Sequence, residues 1–367
     1  MPRSLISLAL CGFLTVPGLG RGQPSDKLAP SGGAKAMHVE REQAKRVRGV
    51  LEYSVQYPNV QATEWFLAVA EAPELPGQSG VRTSLQPMAG TRAKDPSRLN
   101  RGLISARLPA TNAALRSGLS LTLTYEATLY SRRLVEGRGD APVVALTDRE
   151  RREALAETDH CDFKDKGFQK WRKENGFTRR KDEAELDFAR RVFLALKGRY
   201  KWLMSGKCRA SDVCTKREAD CGGLAVLFTA LMRCEGVPAR SLWGRWAASA
   251  VAVDGQVYYQ WHVEAEFFAA DVGWVPVDLS SAVLHDRSAE GLRYFGRDDG
   301  DLIVFHVDPD IQASSAKLGK QAIVNLQEPY ATAAGGGDFN NPLVTQSWKV
   351  TPVDQKADGD RATKPKK

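Results

Sequence analysis

Three residues of this chain have the types and the order that acyl transfer through a thiol requires. Cys221 opens an apolar, helix-like run, His262 lies in an aromatic and β-branched segment, and Asp278 closes the segment Gly-Trp-Val-Pro-Val-Asp. A thiolate can attack a carbonyl carbon, an imidazole can move the proton, and a carboxylate can fix the ring's tautomer and orientation. Each residue alone is more often structural. The joint spacing therefore predicts a catalytic triad.

The local sequence around each residue predicts how the three are positioned. A cysteine at a helix start lies near free backbone N–H groups and the positive end of the helix dipole, which favour thiolate over thiol. Gly222 lacks a Cβ, so a substrate carbonyl can approach the backbone and accept from the Cys221 N–H. Residues 257–268 and 273–279 have strand composition. Neighbouring antiparallel strands would hold the histidine and the aspartate side by side.

The motifs around these residues resemble the transglutaminase-like superfamily. They are Asp-Cys-Gly-Gly at 220–223, Leu-Met-Arg-Cys-Glu-Gly-Val-Pro-Ala-Arg at 231–240, and the histidine's spacing to Gly-Trp-Val-Pro-Val-Asp. The resemblance is strong over residues 186–281. It implies a papain-like core in which a helix carries the nucleophile Cys221. A sheet would carry His262 as general base and acid, and Asp278 as the orienting carboxylate.

Two positions depart from that family's pattern. The family often has an aromatic residue two positions after the histidine, where this chain has Glu264. It also often follows the aspartate with Pro-Thr, where this chain has Leu279 and Ser280. Neither departure touches the triad, so both concern substrate preference more than chemistry.

Aromatic residues near the triad are candidates for the walls of the site. The resemblance implies an upstream aromatic that assists the oxyanion, for which Tyr200 and Trp202 are the candidates. Simple core packing is the alternative for either one. Trp261 and Trp274 flank the histidine and the aspartate, and we expect them to shield the site from water.

Composition and charge indicate a globular enzyme rather than a nucleic-acid-binding protein. Hydrophobic residues make up 43% and charged residues 26% of the 367 residues, and the net charge is +8. These fractions are ordinary for a globular protein of two domains. The densest charged stretch, residues 148–185, mixes both signs instead of segregating basic residues among aromatics. It therefore predicts a solvated helical connector, with no nucleic-acid partner.

The first twenty residues have the pattern of a secretory signal. Arg3 precedes a short apolar run at 5–16, and small residues at 18–20 suit a cleavage point. The run is too short for a transmembrane helix, and no later segment reaches the ~20 apolar residues that a span needs. We expect a secreted or periplasmic protein without a transmembrane segment after signal removal. An uncleaved anchor is the alternative.

Cysteine content fits an oxidising compartment. Of the six cysteines, Cys11 falls in the predicted signal, which leaves five. Four can pair while Cys221 stays free. A plausible set of disulfides, with other pairings open, is Cys208 with Cys214 and Cys161 with Cys234. A zinc site through these thiols is disfavoured because their spacing is wider than in tight ligand pairs, so no metal and no cofactor are expected.

The chain divides into six predicted segments. Residues 1–20 are the signal, 21–45 a flexible linker, 46–138 a β-sandwich domain, 139–182 the charged helical connector, 183–353 the catalytic domain and 354–367 a disordered tail. Alternating apolar residues at 50–57, 65–70, 103–108 and 119–130 predict the β-sandwich. Its pairing with the core comes from the resemblance. The core is expected to begin with a helix at 183–197 and to add strands at 302–306 and 344–350, giving an α+β fold.

The expected function is an exported thiol enzyme that forms an acyl-enzyme from a peptide or protein amide. If water resolves the intermediate, the enzyme is a peptidase or amidase; if a lysine amine does, it is a cross-linking transglutaminase. The alternative is a non-catalytic binding or scaffolding protein that keeps the fold. Because all three triad residues are present, the enzyme is favoured.

Overall fold

The computed structural model describes residues 36–87, 90–95, 98, 101–315 and 319–353. The predicted signal at 1–20 and the predicted tail at 354–367 lie outside these residues.

The strands are β1 (Met37–Gln56), β2 (Val60–Glu71), β3 (Gln78–Gln86), β4 (Thr91–Lys94), β5 (Gly102–Pro109), β6 (Gly118–Glu136), β7 (Lys201–Trp202), β8 (Glu218–Ala219), β9 (Ala239–Trp246), β10 (Val251–Val253), β11 (Gln256–Tyr258), β12 (Trp261–Ala269), β13 (Gly273–Val277), β14 (Arg297–Asp298), β15 (Leu302–Val307), β16 (Ile311–Ser315), β17 (Gly319–Ile323), β18 (Tyr330–Gly337) and β19 (Leu343–Pro352). The helices are α1 (Ala113–Ser117), α2 (Asp148–Leu155), α3 (Lys166–Glu174), α4 (Glu185–Arg199), α5 (Ala210–Cys214), α6 (Cys221–Cys234) and α7 (Leu279–His285).

Two antiparallel sheets form a β-sandwich. One has the order β14-β6-β1-β19, with β3 also paired to β6, and the other has the order β18-β2-β5-β4. Alternate residues of β1 and β6 point inward, so Leu51 and Tyr125 lie in one buried cluster with Trp65 of the opposite sheet. Alternation of period two places one face of a strand in a core. The strands predicted at 50–57, 65–70, 103–108 and 119–130 are all present.

The last two strands of the chain belong to this sandwich. β18 pairs with β2 and β19 pairs with β1, both antiparallel. Trp348 of β19 is 1% exposed, and its ring covers Gly49, where any Cβ would collide with it. The prediction that residues 344–350 complete the catalytic sheet is therefore wrong. Apolar alternation predicts a strand but does not say which strand it joins. The predicted division at 46–138 and 183–353 stays a prediction.

The first strand begins earlier than the sequence suggests. β1 starts at Met37 and pairs with β6 from Met37 opposite Glu136. Val39 and Leu134 pack against the core of the second half of the chain. The prediction of a flexible linker is thus wrong for residues 37–45, while residues 21–35 lie outside the described part.

A third sheet packs against α6, the helix that begins at Cys221. Its order is β13-β12-β9-β15, all antiparallel, which confirms the strands predicted at 273–279 and 302–306. α6 packs on this sheet, and residues 222–233 are buried on every side of the helix. A helix that is apolar all round needs such a position between other elements. Phe228 of α6 meets Phe267 of β12 edge to face.

The segment predicted as a solvated connector contributes to the core instead. Phe168 of α3 and Phe177 after it are at most 1% exposed, in the same cluster as α4 and α6. Its charges pair locally at the surface, as Arg149 does with Glu153 at 2.9 Å. Most of the charged residues of this segment therefore lie at the surface, while the buried rings of Phe168 and Phe177 fix residues 161–177 to the core.

Buried ion pairs join the sandwich to the catalytic sheet. Arg132 of β6 contacts Glu266 of β12 at 2.6 Å and Asp298 of β14 at 2.9 Å. Arg240 of β9 contacts the same Glu266 at 2.5 Å. Buried charges are retained only when such partners are present. Within the described residues, no helix is long and apolar enough to cross a membrane.

Candidate active site

The start of α6 holds Cys221 next to a capping aspartate. Asp220 accepts from the Gly223 N–H at 3.0 Å, which satisfies a free donor of the first helical turn. Its second oxygen accepts from the Gly206 N–H at 2.9 Å. One side chain therefore fixes both the helix start and the loop 203–207 that runs beside it. The half-buried Cys221 is the first residue of the helix.

Two neighbouring strands bring His262 and Asp278 together. β12 and β13 pair with Ala265 opposite Val277, so Asp278 lies one residue beyond the pairing. Asp278 also caps α7, where it accepts from the Ser281 N–H at 2.8 Å. Its other oxygen lies 2.9 Å from Nε2 of His262. The cap holds the carboxylate so that only one oxygen faces the imidazole.

The same imidazole lies close to the thiol of Cys221, which contributes to the raised pKa of His262. Because Nε2 faces Asp278, Nδ1 is the nitrogen left for the sulfur. Burial lowers the pKa of His262, but the charge and hydrogen bond of Asp278 and the contact with Cys221 outweigh it and hold that pKa well above 6.5. Burial raises the pKa of Asp278, yet His262 and Ser281 bring it below its usual value. This arrangement favours an imidazolium between a carboxylate and a sulfur.

A tryptophan that the sequence did not indicate stacks on the histidine. The rings of Trp246 and His262 are 3.9 Å apart between centroids and inclined by 20°. Trp246 ends β9, the strand next to β12, with Gly244 opposite His262. The motif Trp-Gly-Arg-Trp at 243–246 is visible in the sequence, but the stack depends on strand register. An imidazolium on the face of an indole is a favourable cation–π contact.

An open cleft of about 870 Å³ exposes the thiol. Of the predicted wall residues, Trp202, Gly222 and Trp261 line it. Trp243, Trp246 and Cys208 also line it and were not predicted as walls.

Two predicted wall residues lie elsewhere. Tyr200 is buried in the core, where its hydroxyl donates to the carbonyls of Val213 at 3.3 Å and Cys214 at 3.0 Å. Trp274 is absent from the lining of the cleft, and the Arg240 guanidinium lies 3.9 Å from its ring centroid. It lies near the start of β13, four residues before Asp278, so closeness in sequence did not place it in the cleft.

Glu264 lies on the same face of β12 as His262. Ligand atoms of His262, Glu264 and Asp278 are all within 4.8 Å of one another. Burial and the neighbouring carboxylates Asp298 and Asp278 raise the pKa of Glu264 well above 4.5, so this side chain is favoured in its neutral form. One nitrogen and two carboxylates are also donors that zinc accepts. The expectation of no metal stays a prediction.

The predicted disulfides are not formed. The five cysteines at 161, 208, 214, 221 and 234 are free thiols in the structure. Cys214 is fully buried and donates to the Ser211 carbonyl at 3.3 Å, while the Cys234 sulfur accepts from Gln169 at 3.1 Å. The thiols of Cys214 and Cys234 therefore have different partners. Pairing by number and spacing did not take these directions into account.

His306, on β15, has a structural role. Its Nδ1–H donates to the Asp308 carbonyl at 2.9 Å, and its Nε2 accepts from the Leu326 N–H at 3.0 Å. Burial lowers the pKa of His306 to about 3, which keeps the ring neutral. Both ring nitrogens of His306 therefore have hydrogen-bond partners, and this residue is absent from the lining of the cleft.

Comparison with known proteins agrees with the fold and the motifs. The sequence model of the transglutaminase-like superfamily matches residues 174–279. None of the curated proteins matches the chain in sequence. The fold is similar to that of a candidate cysteine protease from Cytophaga hutchinsonii, with a TM-score of 0.53 and 15% identity, over 86% of this chain and 93% of that one. The periplasmic domain of TgpA from Pseudomonas aeruginosa, bound to ethylmercury, gives a TM-score of 0.35 and 15% identity over 69% of this chain and 94% of that one. The expected resemblance and the α+β fold class are confirmed.

Proposed function

We propose that this protein, whose residues 174–279 match the sequence model of the transglutaminase-like superfamily, is a cysteine-dependent enzyme that transfers acyl groups from peptide or protein amides. One observation carries the proposal. His262 is hydrogen-bonded to Asp278 at 2.9 Å and lies close to Cys221, the first residue of α6, which lines an open cleft. A nucleophile, a base and an orienting group in mutual contact are the parts that covalent acyl transfer requires.

The first half-reaction acylates the cysteine. The Cys221 thiolate attacks the amide carbon, a C–S bond forms, and the carbonyl electron pair moves to oxygen. Backbone N–H groups at the start of α6, including that of Cys221, would stabilise the charge on this oxygen. The C–N bond then breaks, and the His262 imidazolium gives its proton to the leaving amine.

The second half-reaction returns the thiolate. Water or a primary amine loses a proton to His262 and attacks the thioester, and the C–S bond breaks. Asp278 keeps the same ring nitrogen engaged in both halves, so the imidazole need not reorient. Buried surroundings strengthen these charge interactions, since His262 and Asp278 are 5% and 4% exposed.

We also propose that the enzyme acts outside the cytoplasm. Support for this comes from the signal-like pattern of the first twenty residues. Peptide segments in an extended conformation fit the size and aromatic lining of the cleft, so peptides or flexible protein segments are the proposed substrates.

The test is hydrolysis of a fluorogenic peptide-amide library, with and without a primary amine. Cys221→Ser and His262→Ala should abolish release of the reporter. Cys234→Ser, at the opposite end of the same helix, is the matched control and should retain activity. A labelled product with the amine indicates transfer, and its absence indicates hydrolysis. Equal reporter release by wild type and Cys221→Ser would refute the proposal.

Alkylation tests the alternative of a binding module. A catalytic thiolate reacts quickly with iodoacetamide, and His262→Ala should slow labelling of Cys221. Slow labelling that this substitution leaves unchanged would favour a non-catalytic protein with the same fold.

A further inference from the structure

A second histidine, cysteine and aspartate, at positions 160, 208 and 310, lie near one another in the structure. Their order along the chain differs from that of the first set, in which the cysteine comes before the histidine. Nδ1 of His160 lies 2.5 Å from one carboxylate oxygen of Asp310, and the backbone N–H of His160 donates to the other at 2.9 Å. The Cys208 side chain is close enough to contribute to the raised pKa of His160. Because Asp310 takes Nδ1, Nε2 is the ring nitrogen left for another partner.

A buried arginine fixes the turn that presents the carboxylate. Arg101 is 2% exposed, and its guanidinium donates to the carbonyls of Val307 at 3.2 Å, Pro309 at 2.8 Å and Asp310 at 3.0 Å. Asp308 and Asp310 have positive φ values of 55° and 65°. Aspartate tolerates this left-handed region better than most residues. The turn is therefore defined by packing as well as by its sequence.

The chain that carries Cys208 is fastened along the chain that carries His160. The Ala210 N–H donates to the His160 carbonyl at 2.8 Å. The Ser211 hydroxyl donates to Asp162 at 2.6 Å, and the Ser211 N–H donates to the same carboxylate at 3.0 Å. These contacts lie two and three residues after Cys208, so they hold the segment that carries Cys208 beside the segment that carries His160.

Cys208 faces the same cleft as Cys221. Both line it, and Cys208 is partly exposed. The loop before Cys208 lies against the start of α6, because a Cβ on Gly223 would come within 2.8 Å of the Lys207 carbonyl oxygen. Glycine at 223 therefore permits this close approach.

The electrostatic setting favours a charged imidazolium. The hydrogen bond with Asp310 and the nearby Cys208 side chain outweigh partial burial and raise the pKa of His160 to about 10. A charged imidazolium next to a cysteine favours thiolate, which is the reactive form in substitution at sulfur. The arrangement has no part in the acyl transfer proposed above.

We propose that Cys208, supported by His160 and Asp310, is a second reactive thiol that exchanges with low-molecular-weight disulfides at the edge of the cleft. The Cys208 thiolate attacks one sulfur of the disulfide, and a new S–S bond forms. The original S–S bond breaks, and the other sulfur leaves as a thiolate. No further oxidant or reductant takes part. The resulting mixed disulfide would occupy the cleft next to Cys221.

The experiment uses the full chain with Cys221→Ser, so that acyl transfer is absent and the two proposals fail separately. Dipyridyl disulfide is added at mildly acidic pH, and the modified residue is identified by peptide mass mapping. An ordinary thiol with a pKa near ~8.5 is almost entirely protonated there, so Cys208 should react roughly 100-fold faster than the same residue in urea-unfolded protein. Equal rates in folded and unfolded protein would overturn the proposal.

Two further variants test the supporting residues. His160→Gln and Asp310→Asn should each slow modification of Cys208 by roughly tenfold or more. His285→Gln, which removes an exposed histidine from the same cleft, is the matched control and should leave the rate unchanged. A Cys208 rate unaffected by His160→Gln in folded protein would contradict the role of the imidazole. Should that variant not fold, the folded-against-unfolded comparison still decides whether the thiol is activated.

Discussion

Neutralising Asp278 while keeping its shape tests the central pair of the site. In Asp278→Asn, the side-chain oxygen can still accept from the Ser281 N–H, so the cap of α7 survives. The amide NH₂ group then faces Nε2 of His262, where a carboxylate oxygen lay at 2.9 Å. An amide nitrogen cannot accept the proton of an imidazolium. The variant therefore removes the charge and the acceptor without removing bulk.

The size of the effect follows from the burial of the pair. Both groups are almost fully buried, so solvent replaces little of the lost interaction. Removing one partner of a buried hydrogen-bonded charge pair costs about 2–5 kcal/mol. If the pair persists in the transition state, kcat/KM should fall roughly 30- to 5000-fold. The imidazolium also loses support, so alkylation of Cys221 at mildly acidic pH should slow.

The assay compares kcat/KM for one fluorogenic peptide amide with the rate of iodoacetamide labelling. Asp271→Asn is the matched control, because Asp271 lies exposed in the turn between β12 and β13. Circular dichroism and the thermal midpoint check that the variant folds. A folded Asp278→Asn protein with kcat/KM within about twofold of wild type would refute the reasoning, since that change is below 0.5 kcal/mol.

Three further predictions concern the surroundings of His262. Because its pKa is raised well above 6.5, kcat/KM should persist above that pH and fall only as the imidazolium deprotonates; an alkaline limb with a midpoint at or below 6.5 would contradict this. Trp246→Ala removes the ring stacked on His262 and should lower kcat/KM about 2- to 30-fold, which corresponds to a loss of about 0.5–2 kcal/mol. The alkaline limb of the pH profile should also move to lower pH. Trp246→Phe keeps an aromatic ring and should retain most activity. Glu264→Gln should leave kcat/KM within about threefold at mildly acidic pH, because burial and the neighbouring carboxylates favour the neutral carboxyl. Wild type should lose stability as pH rises from 4.5 through the raised pKa of Glu264, since the folded form then binds more protons than the unfolded form, and urea unfolding across that range should show a smaller loss in the variant.

The sequence was most informative where local pattern alone determines structure. Apolar alternation identified the strands around Leu51 and Leu123, because the strand period is the same wherever the strand pairs. The sequence around the triad residues also predicted a helix that starts at Cys221 and strands at His262 and Asp278. In contrast, the partner of residues 344–350 depends on long-range pairing that periodicity does not encode.

The same distinction applies to the site. Trp202 and Trp261 were identified by closeness in sequence, and both line the cleft. Trp246 required knowledge of the register between β9 and β12. The contact of His160 with Asp310 spans 150 residues and was invisible without the fold. Pairing the cysteines by number failed because the direction of each side chain, and not the spacing, decides which sulfurs can meet.

The pairing of β18 with β2 and β19 with β1 has a consequence for biosynthesis. A ribosome releases residues 37–71 long before residues 330–352. Until the late strands emerge, the nascent chain carries unprotected strand edges, which are prone to associate with other chains. Cys221, His262 and Asp278 are translated between these two groups of strands. The sandwich can therefore close only after the residues of the candidate active site have been made.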